Sequence, residues 1–251
     1  MAISIPTQPP RTYPPSSIAS GEALLDNPML NSLLTDHSGL ALVSGAVRRF
    51  PAEIGPLAGI PDQSAQHYED LRALAGPDGV VVLFLDHPAT PPAGWTLLRD
   101  GQIDQMICTG HSQRPARLLP LEAEMRRLNA DDAHAMVALA KLTEPGPFHL
   151  RTHQLGSFFG IFHGCKLMAM AGQRMKFPGH VEVSAVCTHP EARGRGYAAA
   201  LMSTVMEEIR AQGKTPLLHT FAHNVNAIAV YRSLGYELRR SFELAVLRND
   251  A

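Results

Sequence analysis

The chain is predicted to be α/β (of the α+β kind), with a mixed, largely antiparallel central sheet flanked by helices. Three observations support this. Apolar segments of strand length alternate with segments whose apolar residues recur every three to four positions. Glycines such as Gly213 and Gly235 stand where helix-patterned segments end, as a left-handed stop requires. A hydrophobic content of 45% against 18% charged residues over 251 residues describes an ordinary globular protein, long enough to bury a real core.

Taken in order, residues 1–20 carry Pro6, Pro9, Pro10, Pro14 and Pro15, too many for a helix or central strand, so this stretch reads as an extended arm. Residues 21–118 form an N-terminal α/β half of unassigned role. In it "NPMLNSLL" and "SAQHYEDLRALAG" have helix periodicity, "GLALVSGAV" and "GVVVLFLD" read as strands, and "DHPATPPAGW" is a proline-rich loop. The stretch "TGHSQRPARLLPLE" at 109–122 looks like a connection, which places a domain boundary near residue 118.

Residues 119–251 are more explicit. Asn129 can cap a helix with Asp132 at its third position, and Ala133, Met136, Val137 and Leu139 form its apolar side. "SFFGIFHGCKLMAMAGQRM" reads as two strands turning at His163-Gly164, and "VEVSAVCT" at 181–188 as the next strand. Residues 198–211 follow as a helix through Ala198, Leu201, Met202, Val205 and Ile209. "PLLHTFA" is another strand, Ala227 to Leu234 a last helix, and "FELAVL" a last strand.

Composition excludes several classes of function. A net charge of -1 offers no electrostatic footprint for nucleic acid or an anionic membrane. Cys108, Cys165 and Cys187 are odd in number and include no C-x-x-C pair, so neither a disulfide framework nor a cysteine metal site is expected, and a reducing cytoplasm fits. Neither a signal peptide nor a membrane-length apolar run is visible.

The chemistry concentrates in "VCTHPEARGRGYAAAL", residues 186–201, where a glycine-rich turn joins strand to helix. Such a turn can present backbone N–H groups to an anion, or be only a tight turn. Gly194-Arg195-Gly196-Tyr197-Ala198-Ala199 matches the dinucleotide fingerprint G-x-G-x-x-A, but the following strand "PLLHTFAHN" lacks the acidic residue that would hold a ribose. Gly213-Lys214-Thr215 resembles the end of a phosphate loop, yet Glu208 stands where its first glycine belongs.

Read from Val186 through Arg193, Gly196 and Ala198, the turn resembles the coenzyme A loop of the GNAT superfamily of N-acetyltransferases, V-x-P-x-x-[RQ]-G-x-G-x-[GA]. Asn224-x-x-Ala227-x-x-x-Tyr231-x-x-x-Gly235-Tyr236 resembles that family's later N-x-x-A-x-x-x-Y-x-x-x-G-[FY] segment. The two follow in the family's order, 28 residues apart from Gly196 to Asn224. Thr188 and Tyr236 depart from the commoner valine and phenylalanine. The resemblance covers about residues 122–251, and by topology the first half could be a degenerate acetyltransferase-like half packed on the second.

The resemblance implies acetyl-CoA as cosubstrate, an amine on a small molecule or peptide as acceptor, no metal, and a homodimer as one assembly. It implies that Arg193, Gly194, Arg195, Gly196, Tyr197 and Ala198 cradle the pyrophosphate. Val186 and Thr188 would offer backbone groups to the pantetheine arm on a strand that separates from its neighbour. Asn224 and Ala227 would contact the coenzyme, and Tyr231 would protonate the departing thiolate; without the motif, Tyr231 reads as core and Asn224 as a helix cap. A base must take the proton of the attacking amine. Glu182 and His180 share a strand face with Ser184 and Val186 by period two, and Glu182, mid-strand, is the leading candidate, with His180 or water as alternatives. His219 and His223 read as polar residues beside a cleft, and Cys187 as no nucleophile. The expected activity is an N-acetyltransferase; the alternatives are a non-catalytic acyl-CoA sensor and a protein-interaction module.

Overall fold

A computed structural model of the chain describes residues 22–110 and 120–250. The proline-rich arm at 1–20 and most of the connection at 109–122 lie outside the described residues.

The N-terminal half opens with α1 (Pro28–Leu34), whose Asn27 cap accepts a hydrogen bond from the Leu30 N–H at 3.3 Å. The stretch predicted as one strand at 39–47 instead contains a hairpin, β1 (Leu42–Ser44) and β2 (Val47–Arg49), because Gly45 turns the chain with φ 50°. With β3 (Ala58–Gly59) it forms a small antiparallel sheet. Then come α2 (Ala65–Ala75), stopped by Gly76 at φ 71°, and β4 (Val80–Leu85). β5 (Trp95–Ile107) is a 13-residue strand that the sequence does not announce, since its Asp100-Gly101 pair has the signature of a turn. Here Gly101, at φ 158°, is simply extended.

The second half follows its pattern closely: β6 (Ala123–Leu128), α3 (Ala133–Thr143) behind the Asn129/Asp132 capping box, β7 (Phe158–His163), β8 (Lys166–Phe177), β9 (His180–Thr188), α4 (Tyr197–Ala211), β10 (Thr215–Phe221), α5 (Val225–Ser233) and β11 (Glu237–Asn249). Eight strands form one sheet in the order β4-β11-β5-β10-β9-β8-β7-β6, antiparallel at every pair except β9/β10. On one face α4 buries Leu201, Met202, Val205, Met206 and Ile209 against Ala169, Ala171, Val181, Val183 and Leu218. On the other, α1 adds Met29 and Leu33 to Met175, Phe177 and Leu217, while α3 adds Met136 and Leu139 to Phe158 and Met170. No helix among the described residues is long and apolar enough to cross a membrane.

The domain boundary expected near residue 118 does not divide the chain into separate folded bodies. β5, from before it, lies between β10 and β11, and β4 closes the edge beyond β11. Strand pairing overrides the loop-like composition of the connection.

α1 is fastened to the body by a buried histidine. His37 accepts from Ser32 Oγ at Nδ1 (2.8 Å) and donates from Nε2 to the Leu155 carbonyl (3.0 Å). Burial pushes its pKa down to about 4, so the folded protein holds it neutral. A lowered histidine pKa gives stability that is full above the free value near 6.5 and declines as pH falls toward the folded value. We therefore expect His37 to remove up to about 3 kcal/mol between pH 6.5 and 4. Urea unfolding across that range should be measurably flatter in His37→Gln than in the parent.

Candidate functional site

The site begins where β9 and β10 diverge. They pair over three positions only, His180–Glu182 against Thr215–Leu217. Beyond Glu182, β9 runs on beside β8 to Thr188 and β10 runs on beside β5 to Phe221, with no further pairing between them. The edge of β9 that faces the gap therefore carries N–H and C=O groups unused by β10.

β9 also bulges within this stretch. Ser184 to Cys187 spans the partners Gly172 to Met170, one residue more on β9, and Ala185 takes φ 52°. The bulge breaks period two, so the predicted common face of His180, Glu182, Ser184 and Val186 ends at Ser184. Val186 turns to the opposite side and packs against the α4 cluster, while Cys187 packs toward α3. Burial pushes the Cys187 thiol up to about 11, in keeping with an inert cysteine.

After Thr188 and a short 3-10 turn the chain reaches the glycine motif. Gly194 and Gly196 sit at φ 76° and 83°, which only glycine adopts without strain, and Gly196 is the N-cap of α4 with no side-chain cap. The first N–H groups of α4 thus lack intrahelical acceptors at the positive end of the helix. Arg193 and Arg195 are exposed beside them, and Arg195 lies 3.5 Å from Glu122. This donor set fits a pyrophosphate. The Tyr197 side chain is buried, with its hydroxyl 2.7 Å from His163 Nε2, so it is the Tyr197 backbone, like that of the half-buried Ala198, that stands at the turn.

On the far side of the gap, Asn224 caps α5, its side chain accepting from the Ala227 N–H at 3.3 Å. Tyr231, two turns along α5, is half-buried with its ring edge-on to Tyr236 at 6.3 Å. Its hydroxyl makes no hydrogen bond among the described residues, and burial pushes its pKa up to about 12. Val186, Ile228 and Tyr231 all pack against the cluster beneath α4.

Glu182 lies elsewhere than a base should. It is fully buried, and both oxygens are taken: Arg174 donates from Nε (2.7 Å) and Nη2 (2.6 Å), and His219 donates from Nδ1 (2.8 Å). Burial alone would raise its pKa, but the Arg174 guanidinium and His219 hold it well below the ordinary carboxylate range. A carboxylate so held is a poor proton acceptor, which corrects the reading of Glu182 as the leading base. His180 is also poorly placed, since five residues of strand, about 16 Å, separate it from Ala185. His219 is a member of the buried network and not a cleft residue, whereas His223 is exposed and stacks on Phe221.

A small cleft opens beside the bulge, lined by Pro145, Pro147, Phe148, Phe158, Arg174, Ser184 and Ala185. Sequence reasoning misses Arg174, although a signal for it exists: an arginine in the apolar run of β8, opposite in charge to a glutamate in the apolar run of β9.

The pair yields a stability prediction. Glu182→Gln leaves a guanidinium without its counter-charge in a nearly closed site and should cost about 3 kcal/mol in urea unfolding at neutral pH. Because the Glu182 pKa is lowered, the contribution is full above the ordinary carboxylate pKa and fades as pH falls, so parent and variant should converge in acid. Adding Arg174→Gln should recover most of the loss.

Comparisons with known proteins agree with this geometry. The model of the FR47-like protein family matches residues 158–244, from β7 to β11. The crystal structure of a GNAT-family protein from Novosphingobium aromaticivorans is 37% identical, with a TM-score of 0.80 over 90% of this chain and 99% of that one. A GCN5-related N-acetyltransferase from Kribbella flavida (16% identical, TM-score 0.55, covering 89% and 96%) and a GCN5-related N-acetyltransferase-like protein from Streptococcus suis (14%, 0.54, 86% and 91%) share the fold. No curated protein matches. With the diverging strands, the β9 bulge, the glycine turn at the head of α4 and a relative of this identity along nearly its whole length, the chain belongs to the GNAT family.

Proposed function

We propose that the protein is an N-acetyltransferase that moves an acetyl group from acetyl-CoA to a primary amine by direct attack in a ternary complex. The observation that carries this reading is the three-pair limit of the β9/β10 ladder, which leaves a backbone-lined gap between the glycine turn and α5. Acetyl-CoA supplies the activated acyl group and a thiolate leaving group.

In this reading the N–H groups of Gly194, Gly196, Tyr197 and Ala198, with Arg193 and Arg195, bind the pyrophosphate. Backbone groups of Val186 and Thr188 extend a ladder to the pantetheine arm, and Asn224 and Ala227 border it from α5. The β9 N–H groups at the bulge donate to the carbonyl oxygen as it gains charge, an arrangement fixed before reaction and so needing no reorganisation. The amine's proton leaves to water in the cleft, since Glu182 is already committed to Arg174 and His219. Tyr231 donates to the sulfur. Its raised pKa keeps the phenol protonated throughout the working range, so it should add no basic limb to the pH–rate profile below about pH 11.

Thiol release from acetyl-CoA with a panel of amines tests the proposal, and binding without release under any amine would leave a sensor instead. Tyr231→Phe sharpens the test. The ring that packs beneath α4 is kept, so melting temperature and acetyl-CoA affinity should stay near parental values while kcat falls roughly 100-fold. A kcat within about threefold of the parent would return Tyr231 to the core.

A further inference from the structure

The cleft beside the bulge has a cation in its wall. Arg174 lines it together with Ser184 and Ala185, the latter being the bulge residue with φ 52°. Glu182 engages Nε and Nη2 of the guanidinium, and Nη1 makes no hydrogen bond among the described residues. The side chain of Arg174 retains 12% exposure whereas Glu182 has none, so the cleft meets the cation first and the balancing carboxylate behind it. The pair occupies one edge of the planar guanidinium, Nε with Nη2, which fixes its plane and so sets where Nη1 points. Ser184 Oγ, on the same wall, is likewise without a hydrogen bond among the described residues. Phe148 and Phe158, edge-on at 5.6 Å, and the prolines 145 and 147 complete its lining.

We infer that this cleft holds the acceptor and selects one that carries a carboxylate next to its amine, namely a free α-amino acid. The inference rests on the acetyltransferase reading and narrows its acceptor. A carboxylate accepts from Arg174 Nη1 and from Ser184 Oγ, two donors that otherwise remain unused. The α-amino group then lies within the length of one Cα of that carboxylate, near the bulge. The prolines and phenyl rings supply an apolar wall for a small or apolar side chain.

The test is a binding measurement that does not depend on turnover. Protein saturated with coenzyme A is titrated calorimetrically with glycine, L-alanine, L-methionine and L-phenylalanine, and with the corresponding carboxamides. The free acids should bind at least tenfold more tightly than their amides. In the Arg174→Gln, Glu182→Gln double variant, which removes both charges together, that preference should fall to within about twofold, and in Ser184→Ala it should shrink to an intermediate value. Equal binding of acid and amide, tighter binding of the amide, or no saturable binding of any acid overturns the inference. Thiol release from acetyl-CoA is followed in parallel: release with amides or polyamines but not with free acids overturns the acceptor class and upholds the transferase, whereas tight acid binding without release by any amine upholds the cleft and removes the transferase.

Discussion

A row of polar side chains crosses the sheet at mid-depth, and the site is arranged about it. Arg174 on β8 holds Glu182 on β9, Glu182 accepts from His219 on β10, His219 Nε2 accepts from Gln105 on β5, and Gln105 Oε1 accepts from Arg239 on β11. The second Gln105 N–H goes to the Leu25 carbonyl, so the N-terminal segment is tied in as well. Phe84 and Phe242 flank the His219 ring at 5.0 and 5.9 Å and keep the row dry. In such surroundings a polar chain is sustained only if every member is partnered, and here each link uses a donor that no other link claims. One residue slipped in any of the five strands would turn its member of the row to the other face. The row therefore adds to the register that the buried apolar faces already specify.

That register decides where β9 and β10 diverge. Their last pair is Leu217 with Glu182, the anchor of the row, and the bulge at Ala185 begins three residues further on. Polar interlock, strand divergence and bulge are consecutive along nine residues of β9, so the edge groups that face the gap are held by a neighbour that cannot shift. Preorganised donors of this kind are most effective when they do not have to move as charge develops.

Much of this is legible in the sequence, for identifiable reasons. The second half reads well because its signals are local: the Asn129/Asp132 capping box, the stops at Gly213 and Gly235, and the spacing of Leu201, Met202, Val205 and Ile209 lie within one helix or turn each. The glycine turn and the Asn224–Tyr231 segment are local too. What the sequence hides depends on partners far along the chain. β5 looks like a loop with a turn in it until β10 and β11 supply ladders on both sides. Glu182 looks like a free carboxylate until Arg174 and His219 are brought against it, and the face of Val186 is reversed by a single bulge residue, an alanine, which carries no bulge signature. Tyr197 follows the same rule: its motif position is local, but the His163 partner that buries its ring is not.

The place of β5 has a consequence for how the molecule comes into being. The strands on either side of it, β10 and β11, are joined through α5 and leave the ribosome as near neighbours, yet they pair with β5 and not with each other. The sheet must therefore keep a slot open for a strand made more than a hundred residues earlier, and closing it demands contacts of long sequence separation, the kind that slows folding. Until β5 enters, two unpaired ladders face one another, each able to capture the same strand from a second molecule. The residues ahead of the glycine turn thus belong to one body with those after it in an assembly sense, as the wedge that lets the second half close without recruiting a neighbour.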